Sequence, residues 1–196
     1  EIAISGSPTA QNNLGLLYEQ GLGVTQNFVS AMEWYERAEE AGSLEAAHNI
    51  GMLYVNGKGV SKSWSRALHY FSKAEIDLPD SRYMVGLSYF QGEGQIQNRP
   101  LAFKRFLSSA LNGYSPAQYM TAFMYLDGKD VERSVLQGYA WAKLASLGET
   151  DVVSVDELLI VAESQLSHDD TSRANLIVSQ CTTYGMSACK EGLSAL

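Results

Sequence analysis

The sequence predicts an all-α fold: an α-solenoid of about four stacked helix-turn-helix repeats, followed by two C-terminal capping helices. First, a tyrosine followed by a glycine turn keeps returning, as YEQGLGV at Tyr18 to Val24, YVNGKGV at Tyr54 to Val60, YFQGEGQ at Tyr89 to Gln95 and YLDGKDV at Tyr125 to Val131. The tyrosines lie 36, 35 and 36 residues apart, a period typical of repeat architectures. Second, the residues before each turn keep helical spacing, and so do those after it. Third, such a unit cannot bury both of its apolar faces alone, so neighbouring units must stack.

Two glycines after an aromatic also resemble half of a phosphate-cradling loop. A dinucleotide fingerprint needs a third glycine, a strand before it and a helix opening directly behind it. Here Gly21 and Gly23 are followed by Val24, Thr25 and Gln26, and are preceded by a helical pattern. A loop that grips one phosphate is needed once, whereas a turn joining two helices is needed in every repeat. The glycines are therefore read as turns.

Taken in order, the first helices align Ala10, Leu14, Gly15, Tyr18 and Gly21 with Ala46, Ile50, Gly51, Tyr54 and Gly57. The third and fourth units continue with Ser81, Val85, Gly86, Tyr89 and Gly92, and with Ala117, Thr121, Ala122, Tyr125 and Gly128. These positions form one helix face. A mid-helix glycine costs about 1 kcal/mol relative to alanine, so its recurrence implies that another helix comes close there. The second helices align Ala31, Trp34, Tyr35 and Ala38 with Ala67, Tyr70, Phe71 and Ala74, then with Ala102, Arg105, Phe106 and Ser109, then with Gly138, Trp141, Ala142 and Ala145. Ser7-Pro8 and Ser115-Pro116 each offer an N-cap followed by proline at the first helical position, and Asn27 and Asn98 can cap second helices.

The expected organisation is one continuous solenoid, with repeats over 7–42, 43–78, 79–113 and 114–148. Residues 1–6 align with Arg37 to Gly42 and read as the end of a preceding repeat. Beyond residue 148 the tyrosine and glycine signature stops. Ser154 to Glu157 is a capping box, and Ser167 to Asp170 starts another helix. Residues 149–183 are read as capping helices with a polar outer face, and 184–196 as a C-terminal tail.

Composition narrows the partners. The 196 residues are 45% apolar with four prolines, enough for a sizeable core. A net charge of −8 and a pI near 4.8, with no basic run, argue against nucleic acid or an anionic membrane surface as partner. No apolar run approaches the ~18 residues of a spanning helix.

The pattern Ala-x3-Leu-Gly-x2-Tyr-x2-Gly-x-Gly-Val, followed about seven residues later by Ala-x2-Trp-Tyr-x2-Ala, as at Ala10 to Ala38, resembles the Sel-one-like repeat, a relative of the tetratricopeptide repeat. The likeness covers roughly residues 1–148, and the fourth unit departs from it at Ala122, Asp130 and Gly138, so a differently shaped turn is expected there. The resemblance implies a scaffold or adaptor for other proteins, commonly bacterial and often exported, with no general catalytic residues.

Enzymatic signatures are absent from the sequence: there is no Gly-x-Ser-x-Gly, Cys-x2-Cys or His-Glu-x2-His motif. His48, His69 and His168 are too dispersed for a metal site, and no cofactor motif is present. Opposite the core stripe of the first helices lie the residues three, six and ten after the alanine. These are Asn13, Leu16 and Gln20; Asn49, Met52 and Asn56; Met84, Leu87 and Gln91; and Met120, Phe123 and Asp127. The resemblance places first helices on the concave side, so these twelve are the expected contacts for a protein or peptide partner. The alternative for the apolar ones is packing against adjacent repeats. Cys181 and Cys189, eight apart around Gly185, form a disulfide in a periplasmic or secreted protein or remain two thiols in a cytoplasmic one. A non-enzymatic interaction scaffold is the favoured function. A structural spacer or self-associating repeat protein is the alternative, and an envelope-acting hydrolase a distant third.

Overall fold

A computed structural model describes residues 6–148 and 155–196. Among these the chain forms eleven helices and no strand, and it divides into two compact units, Glu1–Gln97 and Asn98–Leu196. Residues 1–5, read as part of the end of a preceding repeat, and residues 149–154, which include Ser154 of the expected capping box, lie outside the described residues.

The first unit contains α1 (Pro8–Gln20), α2 (Phe28–Glu40), α3 (Leu44–Asn56), α4 (Trp64–Ala74) and α5 (Pro79–Gln91). Each of the first four helices begins on a side-chain oxygen. Ser7, Ser43 and Ser63 each accept from the N–H three residues on, and Asn27 accepts from the N–H groups of Val29 and Ser30. These bonds satisfy donors that have no partner inside the helix. The first helices end in left-handed glycines, Gly21, Gly57 and Gly92 at φ +72°, +67° and +76°, a conformation in which a Cβ would be strained. The chain then returns to a fixed point: the N–H of Asn27 donates to the Tyr18 carbonyl, and that of Ser63 to Tyr54, both at 2.9 Å.

The mid-helix glycines have the expected packing reason. A Cβ built on Gly15 would lie 2.5 Å from two ring carbons of Tyr35, and one on Gly51 would overlap the ring of Phe71. Both rings are fully buried. Tyr35 donates its hydroxyl to Glu19 at 2.8 Å; burial, and then the Glu19 carboxylate, push its ionisation well above the ordinary tyrosine range. Ala46, Ile50, Leu53, Ala67 and Val85 complete the core.

The second unit contains α6 (Arg99–Ala110), α7 (Ser115–Asp127), α8 (Val135–Leu147), α9 (Val155–Glu163), α10 (His168–Tyr184) and α11 (Met186–Ser194). Asn98 caps α6 as expected, accepting from the Leu101 N–H. Helix α7 corrects an expectation: Tyr114, not Ser115, is its N-cap, without a side-chain bond. The Tyr114 carbonyl already accepts from the N–H groups of Ala117 and Gln118, so Ser115 falls inside the first turn. The fourth turn keeps its closing bonds but changes shape at its second position, as expected: Gly128 is left-handed at φ +66° and the Ser134 N–H donates to Tyr125 at 3.1 Å, whereas Asp130 lacks the positive φ that Gly23, Gly59 and Gly94 adopt.

Past α8, Ser167 caps α10 as expected. The tail expected over 184–196 is instead mostly helix α11, because Met186, Cys189 and Leu193 form an inward stripe, with Cys189 and Leu193 buried. Cys181 and Cys189 form a disulfide, Cα–Cα 5.1 Å, that ties α11 to α10. Helix α8 is covered on both sides, by α7 and by α9 to α11, which buries seven of its residues. The Tyr139 hydroxyl lies 3.1 Å from both Glu163 and Asn175, joining α8 to α9 and α10.

Replacing Gly51 by alanine improves helix propensity by about 1 kcal/mol but drives a methyl into the buried Phe71 ring, so a net loss of roughly 1 to 3 kcal/mol is expected. Urea unfolding at constant m measures it, and an alanine variant at least as stable as the parent contradicts the close-packing account.

Candidate interaction surface

The first helices meet their neighbours through one repeating position, two residues after the alanine. Asn49 of α3 donates to Asn12 of α1 at 2.9 Å. One repeat on, His48 of α3 shares a hydrogen bond with Ser81 of α5 (Nδ1 to Oγ 2.8 Å), and its Nε2 lies 3.6 Å from the Asp80 carboxylate. The residue two after each alanine thus faces the following repeat; its partner is the residue three after the alanine at the first junction, Asn49, and the residue in the alanine's own place at the second, Ser81. The sequence reading missed Asn12, His48, Asp80 and Ser81. The available signal was a polar-tipped side chain two after every alanine: Asn12, His48, Tyr83 and Tyr119.

The turns make a second contact between repeats. Gly59 of the second turn rests on Phe28, which opens α2, and Gly94 of the third rests on Trp64, which opens α4; a Cβ on either would come within 2.7 Å of these residues. In the fourth repeat Asp130 replaces the glycine and Arg99 replaces the aromatic, and the two pair at 2.5 Å. The departure at Asp130 therefore exchanges the close approach of a glycine to the backbone and Cβ of a helix's first residue for an ion pair at the same place.

Against this geometry the twelve expected contacts separate. Asn49 and Met84 are not free to line a groove: Asn49 is bonded to Asn12, and Met84, 9% exposed, belongs to the core cluster. Leu16, Met52 and Leu87 are half-buried against the same cluster, and Met120 and Phe123 are half-buried in the second unit. Asp127 is engaged by Lys129 at 2.7 Å and Arg99 at 3.8 Å. Asn13, Gln20, Asn56 and Gln91 are exposed. Gln20, Asn56 and Gln91 share one register, the last residue of a first helix before its glycine.

Ser81, Asp80 and His48 share the residue types of a nucleophilic triad, but the serine is fully buried and its hydroxyl is tied to the imidazole, so no substrate reaches it. A cavity of about 490 Å³ in the second unit is walled by Phe103, Tyr125, Arg133 and Gln137. Arg133 already bonds Gln165, and Gln137 the Leu193 carbonyl. Among the described residues no group of three His, Cys, Asp or Glu side chains could hold a metal ion, and no helix is long and apolar enough to cross a membrane.

The family model for the Sel1 repeat matches four segments, residues 8–43, 44–75, 79–114 and 115–148. The chain belongs to the Sel1 repeat family. Sel1 repeat proteins commonly mediate protein–protein interaction, and their fold is typically a non-catalytic scaffold. Among solved structures the chain is similar to a Sel1 repeat protein from Oxalobacter formigenes, with a TM-score of 0.72 and 23% identity over 91% of this chain and 75% of that one. It is also similar to c5321, a protective antigen present in uropathogenic Escherichia coli strains displaying an SLR fold, with a TM-score of 0.62 and 24% identity over 96% of this chain and 48% of that one. At these identities the likeness shows the fold. Among curated proteins none matches the chain.

Burial holds His48 below the ordinary imidazole value, against the opposing pull of Asp80. The unfolded chain therefore takes up this proton first, and stability falls as pH drops through about 6.5, the unfolded value. Urea midpoints at pH 7.5 and 5.5 should show a smaller drop for His48→Gln than for the parent. Equal drops would mean that His48 does not contribute to the pH dependence.

Proposed function

We propose that this Sel1 repeat chain is a non-enzymatic scaffold that takes an extended segment of a partner protein along the first helices of its first unit. The observation that carries the reading is the exposed amide at the end of three consecutive first helices, Gln20, Asn56 and Gln91. A carboxamide offers both a donor and an acceptor, as each residue of an extended peptide backbone does. Half-buried Leu16, Met52 and Leu87 lie one turn earlier on the same helices and offer apolar footing beside the amides. The acidic balance of the chain favours a partner that is not itself strongly acidic. In the second unit, Phe123 holds the corresponding apolar position, with Met120 one turn before it.

The working compartment we propose is oxidising, periplasmic or secreted. The disulfide between Cys181 and Cys189 supports it, since such bonds persist outside the reducing cytoplasm.

Changing Gln20, Asn56 and Gln91 together to alanine removes three solvent-facing side chains and should leave the melting temperature nearly unchanged. At about 1 kcal/mol per hydrogen bond, capture of the partner from an envelope extract of the native organism should weaken by one to three orders of magnitude. A triple variant that retains the same proteins as the parent rejects the amide register as the contact surface.

A second measurement concerns the compartment. Protein isolated from its native location without reductant should show no alkylated thiol by intact mass, and two after reduction. Two labelled thiols before reduction would exclude the oxidising assignment. Replacing both cysteines by serine should cost about 2 to 3 kcal/mol on the loop-entropy view of so short a bridge.

A further inference from the structure

The tyrosine near the end of the first helix is treated differently in the second and fourth repeats. In the second, the chain covers it with a cation of its own: the Arg66 guanidinium lies over the Tyr54 ring, 5.7 Å from its centroid. Arg66 and Gln137 hold the same register, since each gives its N–H to the N-cap serine that opens its helix, Ser63 and Ser134. Gln137 is uncharged, and its amide donates to the Leu193 carbonyl of α11 at 3.3 Å. Among the described residues no cation lies over the Tyr125 ring. Tyr125 and Gln137 both line the cavity of about 490 Å³, a volume within the ~300 to 1,000 Å³ usual for small-ligand pockets.

The chemistry of the walls selects the occupant. Phe103 meets Tyr125 edge-on, ring centroids 5.1 Å apart, so two aromatic rings border the space. Burial pushes the ionisation of Tyr125 above the ordinary tyrosine range, so its ring stays a neutral phenol near pH 7. Glu132, also in the wall, carries a carboxylate that forms no ion pair among the described residues. The matching turn residues of the other repeats are Thr25, Ser61 and Ile96, so this charge belongs to the fourth repeat alone. The donor side chains of the wall are committed elsewhere. Arg133 gives Nε to the Leu126 carbonyl at 3.1 Å and a second nitrogen to Gln165 at 2.6 Å, and neither of those partners borders the cavity. With Arg133 and the Gln137 amide nitrogen so engaged, the Glu132 carboxylate and the Gln137 carbonyl oxygen leave the wall richer in acceptors than in donors. Aromatic faces and a carboxylate both attract a cation, and the net charge of −8 favours its approach.

We propose that the cavity lined by α6, α7 and α8 is a binding site for an organic cation, an alkylguanidinium or alkylammonium group, which takes at Tyr125 the place that Arg66 fills over Tyr54. The group arrives on a free small molecule or as an arginine or lysine side chain of a partner, and the site does not depend on the amide register of the first unit. Titration of n-butylguanidinium into the 196-residue chain, followed by the Tyr125 ring resonances, should show saturable binding. The uncharged isostere n-butylurea should bind roughly tenfold or more weakly. Glu132→Gln, at an exposed residue, should lose roughly tenfold in affinity for the cation. Gln137→Arg gives the fourth repeat the guanidinium that the second repeat has and should abolish the response; where it loosens α11, Glu132→Gln decides. A blocked Gly-Arg-Gly peptide that binds more tightly than n-butylguanidinium assigns the site to a partner's side chain, and one that binds more weakly assigns it to a free small molecule; both support a cation site. No saturable shift, equal affinity for n-butylurea, tighter binding of butanoate, or a Glu132→Gln variant that binds as the parent does would overturn the proposal.

Discussion

The spacing of the two helices within a repeat is set by a ring lying where a side chain is missing. Tyr35 occupies the space a Cβ would take on Gly15, and Phe71 does the same over Gly51. Both rings are fully buried, so the second helix lies against the backbone of the first rather than against a layer of side chains. That close approach brings the tyrosine at the end of the first helix within reach of the second. Tyr54 stacks on Tyr70 at 5.9 Å, and in the second unit Tyr125 meets Phe103 edge-on at 5.1 Å. The glycine turn can then be short, because its ends are already close, and the return bond from the N-cap N–H to the tyrosine carbonyl fixes its length. Closer approach also increases the packed apolar contact that offsets the helix propensity lost at glycine.

Between repeats the geometry is kept while the chemistry varies. The position facing the next repeat uses an amide at Asn12 and an imidazole at His48. The turn rests on the backbone and Cβ of Phe28 and Trp64, and on the guanidinium of Arg99. A purely apolar seam tolerates sliding, since dispersion is not directional. A buried hydrogen bond is directional and leaves an unpaired group when the register slips. The polar contacts among Asn12, Asn49, His48 and Ser81 therefore fix which residue opposes which, and the apolar core supplies most of the burial. The Arg99–Asp130 pair shows that a repeat can lose its second glycine, and the positive φ that goes with it, and still tie its turn to the helix that opens at Arg99.

Much of this architecture was legible because repetition compares each position with its own copies. Gly15 and Gly51 stood out as glycines held at the same helical register, and the ring that explains them was visible as Tyr35 aligned with Phe71. Met84 and Asn49 were misplaced for a physical reason. Hydrophobic periodicity yields one stripe per helix, but a first helix in a stack is covered by its own second helix and by first helices on either side, so residues beside the stripe are buried as well. Ser115 was misread as a cap because Ser-Pro is a common helix opening, while here the Tyr114 carbonyl starts the helix one residue earlier. Helix α11 was legible in the spacing of Met186, Cys189 and Leu193, yet it lacks the repeat signature that guided the reading. The disulfide was left open because eight residues of separation leave the approach of the two Cα atoms to the bend at Gly185.

The same covering of the first helices decides where a partner has room. Residues in mid-helix are taken by the neighbours on each side, as Met84 and Asn49 show, and those six after the alanine are half-taken. A helix can present a free side chain at its last residue, where the glycine turn carries the backbone away from the adjoining helix. Gln20, Asn56 and Gln91 stand there, each just before the left-handed glycine that ends its helix. The residue that shapes the turn is constrained by backbone conformation, whereas the residue before it is constrained by nothing in the fold. Three uncharged amides at this exposed position of an acidic chain are what the proposed recognition of polar backbone groups, rather than of charge, draws on.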